Sequence, residues 1–320
     1  AQKTLRFIQE HTSYDVNLIW DDILETQKMS DIKTHLHLNY IISDSRVEKS
    51  VKPLNSVKYA FIIYIPKKFY IDIFYQYLSR ISENVPVLFL YPNSEIMDEA
   101  LKKNPMSSIE HRVIETNCDI SISCLNASRD FLENSDYYCC IWDMNTVDQK
   151  LRITEEDYCN HICQSLFSNE DYIQNLLYKF EEEERLGLII PIQAEFSVYF
   201  SRSLANHTLS INQYKTLFEQ LELTVPFDEG LFSNLETTFW IRGTAAKKLL
   251  IFLNAKMRTR ILTEKQTFNY FLPMLVQQNG YYTASATTPT IAAITLDNYH
   301  YVKNRIILAV FNKFNFFTWN

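Results

Sequence analysis

The sequence reads Val57-Lys-Tyr-Ala-Phe-Ile-Ile-Tyr-Ile65, then Val85-Pro-Val-Leu-Phe-Leu-Tyr91, then Tyr137-Tyr-Cys-Cys-Ile-Trp142, three runs rich in β-branched and aromatic side chains. Between the first two runs, residues 67–82 place apolar side chains at helical spacing. Apolar runs without alternation, separated by amphipathic helices, are typical of a parallel sheet covered on both faces. The sequence therefore predicts a doubly wound, mostly parallel α/β sheet.

Helical patterns flank this core on both sides. We expect an N-terminal helical segment over residues 1–55 and the α/β core over residues 56–150. Residues 151–320 are expected to form a helical region whose C-terminal strands complete the same domain. The sequence thus predicts added helices at both ends of one sheet.

Three local patterns outside the core carry their own predictions. Ser30 stands where it could cap a helix through its hydroxyl. Glu181-Glu-Glu-Glu184 is an acidic run, for which the simplest interpretation is a solvated helix face. Phe268–Gln278 is predicted as a helix that Asn279-Gly280 ends.

Composition narrows the class of protein. A chain of 320 residues with 47% hydrophobic and 22% charged residues is typical of a folded globular protein. The formal net charge of −7 argues against a broad nucleic-acid-binding surface, so no nucleic-acid partner is expected. No apolar run approaches the roughly 20 residues that span a bilayer. The expected location is cytoplasmic, with contact at the inner face of the membrane left open.

Glycine is scarce. The chain has four glycines, at positions 187, 230, 243 and 280. Glycine-rich dinucleotide and Walker loops need glycines just after the first core strand, where the backbone approaches the phosphates. Both loops are therefore excluded, and side chains and ordinary loops would have to hold any nucleotide.

The six cysteines all lie between positions 118 and 163. Without a secretory leader the default is reduced thiols, and buried small hydrophobic side chains are the favoured role. A zinc site through Cys159, His161 and Cys163 is the alternative. It is less favoured because His161 would point to another face of the helix than the two thiols.

Two acids come after predicted core strands. Asp119 follows the strand over residues 110–114, and Asp143 follows the strand that ends at Trp142. Ligands of open parallel sheets bind beyond the carboxyl ends of the strands, so both acids are candidates for catalysis or metal contact. Asn145 has the spacing of a second oxygen ligand next to Asp143. The alternatives are a helix N-cap for Asp119 and an Asx turn for Asp143.

A second candidate group lies late in the chain. Arg242 could clamp a phosphate, and the rings of Phe239 and Trp240 could stack on a sugar. The alternative, equally weighted, is that both aromatic residues belong to the core and that Arg242 is an ordinary surface charge.

The order of several segments resembles the rhamnan synthesis protein F (RgpF) family, and the similarity spans nearly the whole chain. The segments that carry the resemblance are Tyr14-Asp-Val-Asn-Leu-Ile-Trp-Asp-Asp-Ile-Leu24, Ser30-Asp-Ile-Lys33, Leu36-His-Leu-Asn-Tyr40, Ala60-Phe-Ile-Ile-Tyr64, Leu186-Gly-Leu-Ile-Ile-Pro191, Thr238-Phe-Trp-Ile-Arg242, Leu272-Pro-Met-Leu275 and Gln278-Asn-Gly-Tyr-Tyr-Thr283.

The resemblance implies a glycosyltransferase-like core of the Rossmann type. It implies synthesis of a bacterial cell-surface, rhamnose-containing polysaccharide, with transfer of rhamnose from a dTDP donor to a glycan acceptor. Mg²⁺ or Mn²⁺ together with a nucleotide sugar would be the cofactors of such a reaction. The expected catalytic residues are Asp119 and Asp143, and the expected substrate-binding residues are Asn145, Phe239, Trp240, Arg242 and Tyr281.

The chain also departs from the family pattern at polar positions. Where members show an Asn-x-Gly-Arg-Asp-like segment, this chain has Glu115-Thr-Asn-Cys-Asp119, so only the last acid is kept. A His and a Lys after the next strand are missing, and Asn269-Tyr270 replaces a Glu-Arg pair. These losses support an alternative: a catalytically silent module that binds a glycan or a partner glycosyltransferase.

Overall fold

The computed structural model describes most of the chain as helices and strands around one sheet. The described residues are 2–46, 57–103, 108–115, 120–142, 155–192, 210–229, 238–256 and 268–293.

The described strands form one mostly parallel sheet, which confirms the predicted fold class. Its order is β1-β8-β6-β7-β5-β2-β3-β4, and only β7 runs antiparallel to its neighbours. We call the edge where the parallel strands end the carboxyl edge and the opposite one the amino edge. The strands are β1 (Asn39–Ile41), β2 (Tyr59–Tyr64), β3 (Val87–Tyr91), β4 (Ile109–Val113), β5 (Tyr137–Ile141), β6 (Leu186–Pro191), β7 (Thr238–Arg242) and β8 (Tyr282–Thr287).

The three apolar runs form the centre of this sheet. Every residue of β2, β3 and β5 is buried. In the register, Phe61 lies opposite Val87 on one side and Cys139 on the other. Burial on both faces explains why these runs show no alternation of apolar and polar residues.

Helices cover both faces of the sheet. Helix α7 packs against β6, β7 and β8, whereas α11 packs against β8, α6 and α10. The helices are α1 (Gln2–His11), α2 (Val16–Thr26), α3 (Met29–His35), α4 (Phe69–Leu78), α5 (Ser94–Lys103), α6 (Ile120–Ala127), α7 (Glu155–Phe167), α8 (Glu170–Glu182), α9 (Ile211–Gln220), α10 (Gly243–Lys256), α11 (Phe268–Gln278) and α12 (Pro289–Ala293), and a short 3-10 helix spans Phe131–Glu133.

The sequence predicts a helical segment over residues 1–55, but this part of the chain also contains a strand. Strand β1 pairs with β8 in parallel, with Asn39 opposite Ser285. The prediction that Ser30 caps a helix is also wrong, because α3 begins at Met29 and places Ser30 in its first turn. Ser30 instead binds the buried Asp228: its backbone N–H donates to Oδ2 at 2.6 Å and its hydroxyl donates to Oδ1 at 2.8 Å.

Candidate functional site

The carboxyl edge is where the sequence places the predicted acids. Asp119, Asp143 and Asn145 lie outside the described residues, so their roles stay predictions. The nearest described residues in the chain are Ile120, which begins α6, and Trp142, which follows β5.

Helix α11 packs against the helix that follows Asp119 and against the residue that precedes Asp143. It packs against α6, which begins one residue after Asp119. Its first residue, Phe268, has its ring centroid 6.4 Å from that of Trp142, the residue before Asp143. Trp142 and the helix that follows Asp119 therefore both pack against α11.

Three buried polar atoms at the carboxyl edge have no hydrogen-bond partner among the described residues. They are Trp142 Nε1, Thr238 Oγ1 and Thr287 Oγ1. Thr238 begins β7 opposite Ile141, and Thr287 ends β8. Buried polar atoms of folded proteins are almost always hydrogen-bonded. Ordered water, the chain segments that continue the strands, or a ligand can supply partners for these atoms.

Phe239 and Trp240 lie in the core. Both side chains are 0% exposed. The Trp240 Nε1–H donates to the Leu166 carbonyl at 2.8 Å, and its ring lies 5.6 Å from that of Phe61. The Phe239 ring packs edge-on against Trp142 at 5.0 Å. These contacts agree with the alternative in which both aromatic residues belong to the core. Neither ring is available for stacking on a sugar in this structure.

Arg242 holds the C-terminal end of α8. Its Nε donates to the Leu186 carbonyl at 2.9 Å, and its Nη2 donates to the Phe180 and Glu183 carbonyls at 2.5 and 3.0 Å. Its Nη1 donates to the Tyr137 hydroxyl at 3.1 Å. Four of the five guanidinium donors are thus engaged, and the cation faces the negative end of the helix dipole. These contacts favour a structural role over a phosphate clamp.

Tyr281 lies beside Arg242's end of the sheet, just before β8 begins. It is half-buried, its hydroxyl lies 2.9 Å from Thr244 Oγ1, and Lys248 Nζ lies 5.1 Å from its ring centroid. Because β7 is reversed, Arg242 is at the amino edge together with Tyr281. The structure therefore separates these two predicted binding residues from Ile120 and Trp142 at the opposite edge.

A buried charge network at the end of α8 was missed by the sequence analysis. Glu183 is only 8% exposed, so the prediction of a solvated Glu181–Glu184 face is wrong at this position. Its Oε1 pairs with Lys179 Nζ at 2.5 Å. Its Oε2 accepts hydrogen bonds from the hydroxyls of Tyr40, at 2.8 Å, and Tyr282. Lys179 is an i,i+4 neighbour on α8, but Tyr40 and Tyr282 come from two distant parts of the chain, so no local pattern could have indicated that their hydroxyls bind this carboxylate.

The network shifts the pKa values of its members. Burial raises the pKa of the Tyr282 hydroxyl, and the neighbouring Tyr40 and Glu183 raise it further. Burial alone would lower the pKa of Lys179, but its pairing with Glu183 and Glu182 outweighs burial, and the net pKa is raised. Glu183 and Lys179 thus form a partly buried ion pair with hydroxyl donors around the carboxylate.

Comparison with known proteins decides the family. The family model for rhamnan synthesis protein F (RgpF) matches residues 1–281. The chain belongs to the rhamnan synthesis protein F family. This membership supports a role in polysaccharide synthesis and confirms the resemblance on which the sequence analysis relied.

The other comparisons add little for this member of the RgpF family. No curated protein matches its sequence. Among solved structures, CMP:2-keto-3-deoxy-manno-octonic acid synthetase complexed with CTP is similar at a TM-score of 0.35 and 8% identity, covering 79% of this chain and 99% of that chain. A likeness at this level carries no argument about function.

Two further observations concern the described part of this RgpF family member. No helix there is long and apolar enough to cross a membrane. No group of three or more His, Cys, Asp or Glu side chains there could hold a metal ion. Both Cys159 and Cys163, which the zinc alternative used, are fully buried in α7.

Two cavities open at the amino edge of this family member. One, of about 430 Å³, lies between α1, α2 and the end of α8; it is lined by the acids Glu10, Asp15 and Glu181–Glu184 and by the bases Arg6 and Arg185. This excess of carboxylates disfavours a phosphate ligand. The other, of about 740 Å³, lies between the starts of β2, β3 and β5 and the first turns of α8.

Proposed function

We propose that the chain transfers a sugar from a nucleotide-sugar donor to a glycan acceptor during polysaccharide synthesis. The observation that carries the proposal is the family match over residues 1–281. By the same family likeness, the donor would be dTDP-rhamnose and the acceptor a rhamnose-containing glycan. The proposed location is the cytoplasm, at the inner face of the membrane.

The proposed reaction centre is the carboxyl edge, with Asp119, Asp143 and Asn145. Support comes from α11, which packs against both Trp142 and α6, the helix that follows Asp119. The three buried polar atoms without described partners lie along the same edge. Open parallel sheets bind ligands at this edge for geometric reasons, because the loops that follow the strands converge there.

The chemistry asks for two roles. In one assignment the carboxylate of Asp119 would take the proton from the acceptor hydroxyl as general base. The oxygen atoms of Asp143 and Asn145 are ligands that suit Mg²⁺ or Mn²⁺, and such an ion would neutralise the leaving diphosphate. In the reverse assignment Asp143 is the base. Measuring how donor binding depends on the metal separates the two assignments.

The second candidate function is a catalytically silent module that binds a glycan or a partner glycosyltransferase. The contacts of Arg242, Phe239 and Trp240 favour it, because all three side chains are used to build the fold. Of the residues expected to bind substrate, only Asn145 and the half-buried Tyr281 are then left for a donor or acceptor.

Calorimetry with nucleotide sugars separates the two functions. We expect dTDP-rhamnose to bind the wild-type chain, more tightly with Mg²⁺ or Mn²⁺ present. Whichever of Asp119→Asn and Asp143→Asn removes the general base should lower the rate of transfer by a factor of about 100 or more. The other variant should weaken the metal-dependent binding of the donor. Asp98→Asn is the matched control, because Asp98 is exposed on α5. If no donor gives heat with or without metal, the silent module replaces the enzyme.

A further inference from the structure

The larger cavity at the amino edge has the size and lining of a ligand site. We call it the amino-edge cleft; its volume of about 740 Å³ lies within the range of small-molecule sites, about 300–1,000 Å³. Its walls come from the start of β2, the turn before β3, the 3-10 helix and the first turns of α8. Glu110 of β4 also lines the cleft, so five separate parts of the chain build it.

Uncharged hydrogen-bonding groups dominate the polar lining. The amides of Asn84, Asn134 and Gln174 and the hydroxyls of Ser82 and Ser135 line the amino-edge cleft. Each amide presents a donor and an acceptor side by side, and each hydroxyl can act as either. A ligand with many neighbouring hydroxyl groups can satisfy such a surface, since it also offers both functions at each position.

Protein groups already contact the two carboxylates of the amino-edge cleft. Glu110 pairs with Arg112 at 2.5 Å. Glu170 accepts hydrogen bonds from the Tyr59 hydroxyl at 3.0 Å, from the Gln174 amide at 2.8 Å and from the Ser82 backbone at 3.1 Å. Lys58 is the one cation among the described lining residues. A diphosphate would need more positive charge than this, so a nucleotide sugar is a poor fit.

Apolar surface accompanies these polar groups. The rings of Tyr59 and Phe131 and the side chains of Val85 and Pro86 line the same cleft. Carbohydrates present apolar C–H faces between their hydroxyl groups, and aromatic rings with a polar rim are suited to such mixed ligands.

We propose that the amino-edge cleft binds a neutral saccharide segment of the glycan on which the protein acts. The identity of the ligand as a glycan rests on the proposed function; the position of the site does not. The five- to six-residue strands separate the two edges by about 17–20 Å. The cleft therefore holds the glycan far from the carboxyl edge, and it anchors the glycan without taking part in the reaction.

The test is binding of a neutral rhamnose tetrasaccharide to the full chain, measured by calorimetry and by saturation-transfer NMR. Asn84 is exposed in the turn before β3, so Asn84→Trp should fill the amino-edge cleft without disturbing the fold and weaken binding at least tenfold. Asn84→Ala removes one hydrogen-bonding group and should weaken binding by about 2- to 10-fold. Asn212→Trp, at an exposed position of α9, should leave the affinity unchanged.

The outcomes separate this proposal from the proposed function. Retained dTDP-rhamnose binding with lost tetrasaccharide binding in Asn84→Trp supports the site. Absence of tetrasaccharide binding to the wild-type chain, or equal binding by Asn84→Trp, overturns it, whatever the donor titrations show. If inorganic phosphate competes and Lys58→Gln abolishes binding, the cleft holds an anion and the proposal is also overturned. Tetrasaccharide binding at the cleft without any donor binding keeps this site and removes the enzyme.

Discussion

Replacing Lys33 with methionine should stabilise the protein at neutral pH. Lys33 lies on α3, largely buried, and its ammonium donates to the hydroxyl of Ser285 on β8, a neutral partner. Burial lowers the pKa of Lys33 from 10.5 to about 8. The charged form is therefore less stable in the folded chain than in water.

The size of the effect follows from that pKa. At 1.36 kcal/mol per pH unit, the fall from 10.5 to about 8 corresponds to a cost of about 3 kcal/mol for charged Lys33 in the folded state. Lys33→Met removes this cost but leaves the Ser285 hydroxyl without its donor, which costs about 1 kcal/mol. The net expectation is a gain of about 2 kcal/mol in the free energy of unfolding at pH 7, or several degrees in Tm.

The pH dependence of stability tests the sign of this effect independently. Below pH 8 both folded and unfolded chains carry the proton on Lys33, so the full cost is present. Between pH 8 and 10.5 the unfolded chain binds more protons at this site, and the wild-type free energy of unfolding rises. The advantage of Lys33→Met should therefore shrink as the pH approaches 10.

Urea unfolding at pH 7 and at pH 9.5 measures both effects. Lys215→Met, at an exposed position of α9, is the matched control and should change the free energy of unfolding by less than about 0.5 kcal/mol. A loss of more than about 1 kcal/mol in Lys33→Met, or the same gain at both pH values, would refute the argument from burial.

Three further substitutions test contacts at the amino edge. Gly243→Ala would place a Cβ 2.7 Å from the Ser135 carbonyl oxygen, so we expect a loss of about 2 kcal/mol or more in urea unfolding; a loss below 0.5 kcal/mol would show that the backbone there can yield. In Arg242→Lys the lysine cannot reach three carbonyls at once, so the variant should lose about 2–3 kcal/mol in the free energy of unfolding. Its donor affinity, measured by calorimetry, should stay within twofold of wild type. A tenfold weaker donor affinity in the folded variant would place Arg242 at the donor site instead. Glu183→Gln removes the closer of the two carboxylates that pair with Lys179, while Glu182 still holds the ammonium at 3.0 Å, so we expect a cost of about 2 kcal/mol in a thermal melt. A change below about 0.5 kcal/mol would mean that solvent already screens the pair.

The centre of the fold could be predicted because its signals are local. The run Val57–Ile65 was predicted as a strand, and β2 occupies Tyr59–Tyr64. Helix α11 has the predicted bounds, since Gly280 adopts a φ of +85° that ends a helix without strain. Both features follow from the residues of one short segment.

The remaining features depend on residues far apart in the chain. Strand β1 has three residues and only partial burial, too little to give a periodic pattern. The Ser30 hydroxyl binds Asp228, which lies 198 residues later, and this contact overrides its capping tendency. Strand direction could not be predicted either, because nothing in Thr238–Arg242 indicates that β7 runs antiparallel to its neighbours. This direction decides at which edge of the sheet Arg242 lies.

The pairing of β1 with β8 has a consequence for synthesis on the ribosome. Residues 39–41 find their partner only when residues 285–287 have been made. At about 5–20 residues per second, the N-terminal helices wait some 10–50 seconds for that partner. During that interval the side chains of Leu24, Met29 and Leu38, buried in the finished protein, stay open to chaperones and to other nascent chains. Ribosome profiling of chaperone contacts should therefore show engagement that ends only after β8 has emerged.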